Sequence, residues 1–147
     1  MRPPLTGWRL QLDLNPFGTM AAIAAVVLGV LGMILGDGIS QGMTLSLHST
    51  ANVTAHLWGA LIALGGALKL IGLYAGRSIL EVPGLWAMTG GYFFYALTVV
   101  TGLGAHGLAA GIIAGAMAIG CLIKTRIIMN RARQVTRQVE AGGGDEA

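Results

Sequence analysis

Charge is what this chain has least of: 10% of its residues are Asp, Glu, Lys or Arg, against roughly a quarter in an ordinary soluble domain. With 54% hydrophobic residues, that scarcity points away from a water-facing fold and toward a membrane. A single cysteine, Cys121, excludes an intramolecular disulfide and a Cys-rich metal site, and its place in an apolar run predicts packing as a small apolar residue. There is no nucleotide-binding loop, no nucleophile beside a plausible base and no zinc-protease motif, so no enzyme activity and no cofactor are expected. The basic residues flank apolar runs and do not interleave with aromatics, which argues against nucleic acid and for anionic lipid headgroups as partner.

What is present is four apolar runs, at about 17–36, 51–75, 83–103 and 107–129. Each is long enough to cross a hydrocarbon layer of roughly 30 Å as a helix. The fold class expected is all-α, a four-transmembrane-helix bundle forming one domain over 17–129. The last run leads into Lys124, Arg126, Arg131, Arg133 and Arg137, and basic residues resist translocation. With the C-terminus inside, four spans put the N-terminus inside too, and all nine Lys and Arg residues on that side. The address expected is the cytoplasmic membrane.

Residues 1–16 alternate apolar and polar side chains around Trp8 and Arg9, as an interfacial segment would, with a loose tail as the other reading. Asn15-Pro16 then punctuates, and Thr19 is a plausible cap for the first helix. The run 17–36 is about twice the length of a signal core and lacks a clear small-x-small site, so it is expected to remain as a span. In the connector 37–50, Met43, Leu45 and Leu47 alternate with polar residues, which predicts a short strand or an interfacial strip. Pro83 suits the first turn of the third span, and Gly104 to Gly107 leave room only for a tight hairpin. Residues 130–147 form a basic cytoplasmic tail, expected to start as a juxtamembrane amphipathic helix carrying Ile128, Ala132, Val135 and Val139 and to end disordered.

Three sets of residues invite a functional reading. Gly107, Gly111 and Gly115 on the fourth span, and Ala55, Gly59 and Ala63 on the second, form small-residue stripes where helices approach closely in lipid. Pairing of these two spans within one subunit is one expectation, and homo-oligomer assembly is the other. Asp37, His48, His56 and His106 all fall toward the outer side and are candidate metal ligands. They lack ligand spacing and come from different elements, so no metal is expected unless they converge. Lys69 is the one charge well inside a run, near enough to the helix end for its ammonium to reach the headgroups along with Lys124 and the arginines. A buried functional role is the other reading of it. No carboxylate falls within the runs as drawn, with Glu81 assigned to a loop beside Arg77, and that argues against a cation-coupled pump.

The short Arg-containing N-terminus, the Asn15-Pro16-Phe17-Gly18 entry, the four spans and the charged tail together resemble small membrane proteins of phages and prophages. The types resembled are holins and effectors of superinfection exclusion or abortive infection. The resemblance implies a protein that oligomerises in the cytoplasmic membrane and makes it permeable, and it supplies no catalytic residue. Thr89, Tyr92, Thr98 and Thr101 would give such a path a weakly polar lining. The competing expectation is a non-enzymatic anchor or assembly subunit that holds a protein partner through the C-terminal tail.

Overall fold

The computed structural model describes residues 15–47 and 51–142. Residues 1–14 of the interfacial segment, His48 with its two successors, and the last five residues lie outside them. Five α-helices account for the described chain: α1 (Pro16–Leu35), α2 (Gln41–Leu47), α3 (Ala51–Ala75), α4 (Ser78–Leu103) and α5 (Leu108–Gly142). Short 3-10 turns at Gly36–Ile39 and Gly104–Gly107 join α1 to α2 and α4 to α5. The described residues contain no strand.

Helix ends follow local chemistry. Asn15, not Thr19, caps α1: its Oδ1 accepts the Gly18 N–H at 3.1 Å, Pro16 takes the first turn, and the Thr19 hydroxyl folds back onto the Asn15 carbonyl at 3.0 Å. Such a cap is worth about 1 kcal/mol. The chain leaves α1, α3 and α4 through Gly36, Gly76 and Gly104, each with a positive φ that a side chain would oppose. α4 begins at Ser78, so Pro83 sits in its second turn. There the ring forgoes one bond to the Ile79 carbonyl, a loss the exposed start of the helix tolerates.

The connector is a helix where a strand or strip is expected. In α2, Gly42, Met43 and Ser46 share one side: Met43 is wholly buried, Gly42 lies against the Val99 backbone, and the Ser46 hydroxyl reaches the Thr98 carbonyl at 2.6 Å. Alternation of apolar residues over so few positions fits either period, and the contact with α4 decides for the helix.

Three helical stretches are long and apolar enough to cross a membrane: Pro16–Leu35, Ala51–Ala75 and Ile79–Arg137. The last is folded back at Gly104–Gly107, so that α5 packs along α4. The outward faces of these helices carry large apolar side chains, with Leu57, Leu64, Phe93 and Ile112 all more than 60% exposed, as a protein solvated by lipid requires. The chain is a membrane protein built of helices.

Neighbours in sequence are neighbours in space: α1 packs on α3, α3 on α4 and α4 on α5. The expected pairing of the two small-residue stripes is therefore not the one observed. On α3, Gly59 and Ala63 face α1, where a Cβ on Gly29 would stand 2.5 Å from the Gly59 carbonyl and the Ala63 nitrogen. Gly107, which ends the turn before α5, and Gly111 on α5 face Val99 and Val100 of α4. Consecutive membrane-length helices pair with each other, and Gly59, Ala63, Gly107 and Gly111 are covered by the membrane-length helix that precedes them.

Candidate polar site at the basic end

Two close approaches build the site. A Cβ on Gly72 would stand 2.5 Å from the Glu81 nitrogen, and one on Gly84 would stand 2.6 Å from the Lys69 nitrogen. At these two points the backbones of α3 and α4 touch, and the contact brings Lys69 and Glu81 to the same end of the bundle. Lys69 is 2% exposed and donates to the Gly18 carbonyl in the first turn of α1 at 2.5 Å. The expected reach to the headgroups is not made. Gly65, Gly66 and Gly72 on the same helix let the backbones of α1 and α4 close in around it.

Glu81 is likewise inside α4 and 9% exposed, not in a loop beside Arg77. Its Oε1 lies 2.7 Å from the Lys124 ammonium of α5, held as an ion pair without an aligned hydrogen bond. Lys124 is thus turned toward a carboxylate, whereas Arg126, Arg131, Arg133 and Arg137 stay exposed along α5, as headgroup contacts require. The Lys124 ammonium is the one paired with that carboxylate, while the Lys69 ammonium is held by the Gly18 carbonyl. In surroundings this apolar an unpaired charge is expensive, which makes the cluster the most constrained polar feature of the described chain.

A cavity of about 130 Å³ opens beside it, lined by Asn15, Gly18, Lys69, Gly120, Cys121 and Lys124 among others. Cys121 packs as a small buried residue, and its carbonyl accepts the Thr125 hydroxyl at 2.9 Å. A second cavity of about 290 Å³ lies farther along α1 and α5, between Leu28, Ile113 and Ala114, with Trp58, Tyr92 and Tyr95 as its floor.

The hydroxyls of α4 do not line a path within the subunit. Thr89 and Thr98 are buried and donate to the Leu85 and Tyr95 carbonyls, Thr101 donates to Leu97, and the Tyr92 hydroxyl crosses to the Ala21 carbonyl at 3.1 Å. Each is satisfied by backbone. At the other end of the bundle His56 and His106 are exposed. Among the described residues no three of His, Cys, Asp and Glu come close enough to hold a metal, while His48 and the Asp37 side chain lie outside the description.

The signal for Lys69 and Glu81 is present in the sequence as helical register. Trp58, Ile62 and Lys69 share a face of α3 with glycines, and Glu81, Leu85, Met88 and Tyr92 share one of α4. Both charges stand where the spacing demands a buried residue. Comparison of the chain with protein-family models, curated proteins and solved structures finds no match.

Proposed function

We propose that this chain is a four-span protein of the cytoplasmic membrane, both ends on the cytoplasmic side, that self-associates and alters membrane permeability in the manner of small phage-encoded membrane proteins. The observation that carries the reading is Gly115. A Cβ there meets nothing within 4 Å, whereas Gly107 and Gly111 on the same stripe are occupied by α4. With Ile112 and Ile119 exposed beside it, Gly115 forms a notch on the flank of α5, suited to close packing against another copy in lipid. Because the hydroxyls of α4 are bonded internally, the permeation path belongs between copies. The test is Gly115→Leu in reconstituted vesicles, read by oligomer size and dye efflux; unchanged size and efflux would sink the reading. Gly111→Leu is unsuitable, since it collides with Val100 and disturbs the hairpin itself.

A second reading, an anchor for a protein partner, is favoured by the extent of α5. Its 35 residues amount to about 52 Å, well beyond a hydrocarbon layer of roughly 30 Å. The excess carries Arg131, Arg133 and Arg137, all exposed. Removal of residues 130–147 separates the two: an anchor loses its partner, while a permeabilising protein retains efflux.

A further inference from the structure

The two cavities follow one another along the same side of the bundle, one lined by Lys69 and Lys124 and the other by Leu28 and Ile113. The first and last long helices, α1 and α5, do not close on each other as the other neighbours do, and both cavities lie along the seam between them. Along α5 the lining runs from Lys124 through Cys121 and Met117 to Ala114 and Ala110, a rise of about 21 Å at 1.5 Å per residue. One end is charged and the other apolar.

From this gradient we propose that the seam binds one anionic phospholipid. Its phosphate sits between the ammonium groups of Lys69 and Lys124, and one acyl chain lies along the seam toward Leu28 and Ile113. Charge complementarity selects the head. Lys69 and Lys124 line the chamber, and among the described residues Glu81 pairs with Lys124 alone, leaving the charge of Lys69 for a phosphodiester to neutralise. Among the described residues Lys69 gives one of its three N–H groups to Gly18. Length selects the tail: a chain starting at a headgroup needs roughly 15 Å to reach the bilayer midplane, and the seam exceeds that. A zwitterionic headgroup would bring a second cation toward two lysines.

The inference rests on the membrane-spanning reading but not on self-association, because Gly120 lines the seam and Gly115 does not. The experiment uses the full chain in zwitterionic detergent, with native mass spectrometry of retained phosphatidylglycerol against phosphatidylcholine. Wild type retains one phosphatidylglycerol per chain with a preference of about fivefold, the scale expected for one net basic charge near lipid. Lys124→Gln and Lys69→Met abolish the preference, while the paired exposed-tail substitutions Arg133→Gln and Arg137→Gln preserve it. Gly120→Leu is the structural control: its Cβ meets nothing within 4 Å, so it fills the seam and evicts the lipid without disturbing helix packing. Equal retention of the two lipids overturns the proposal. So does full retention in Gly120→Leu, or an equal loss in the tail variants. A change of oligomer size in Gly120→Leu without loss of lipid assigns the seam to a second copy instead.

Discussion

The indole of Trp58 donates to the Gly91 carbonyl at 2.8 Å and stacks on Tyr95 with ring centroids 5.5 Å apart, so one side chain of α3 fixes two points on α4. Hydrogen bonds between membrane helices average about 0.6 kcal/mol and reach about 1.7. Trp58→Phe keeps much of the stacking and removes the bond, leaving Gly91 its helical partner. A loss of about 1 kcal/mol is expected in a denaturant titration in mixed micelles.

The Glu81–Lys124 pair predicts strong coupling. Removing either partner leaves a charge with weakened compensation in a mostly buried site, so Glu81→Gln and Lys124→Gln each destabilise by about 1–3 kcal/mol. The double variant falls short of the sum by about 1 kcal/mol, since the second change relieves what the first exposed. The same titration, run as a double-mutant cycle, checks it. Additive losses would mean that the pair is not formed in the membrane.

Glycine substitutions should sort by their neighbours and not by their place in a motif. At Gly59 an added Cβ meets the backbone of α1, and Gly59→Val is expected to lose about 3 kcal/mol or fail to fold. At Gly115 the space is open, and Gly115→Leu keeps the helical content and thermal midpoint of the parent while its assembly changes. Circular dichroism and size-exclusion chromatography in detergent distinguish the two.

Topology has its own readout. In a Cys121→Ser background, His106→Cys places a thiol on the exposed turn between α4 and α5, and Arg137→Cys places one on the exposed basic helix. The proposed orientation predicts labelling of position 106 by an impermeant maleimide on intact cells, and of position 137 only after permeabilisation. The reverse pattern inverts the protein.

Composition and punctuation make the helices legible: Asn15-Pro16, Gly36, Gly76 and Gly104 fall at helix ends. The connector and the onset of α4 are less so. Seven residues of α2 are too few to separate two periodicities, and Pro83 marks a plausible start five residues after the helix has begun. Partners of the small-residue stripes were not legible, because a glycine declares that something approaches closely without declaring what. Depth along the helix leaves both readings of Lys69 open, and the buried one is observed because its ammonium turns inward to the Gly18 carbonyl.

From Cys121 to Glu140 the chain has neither glycine nor proline, and α5 runs through this stretch without a break. A load taken up at Arg137 therefore meets no glycine or proline at which to bend before it reaches Lys124 and its partner Glu81.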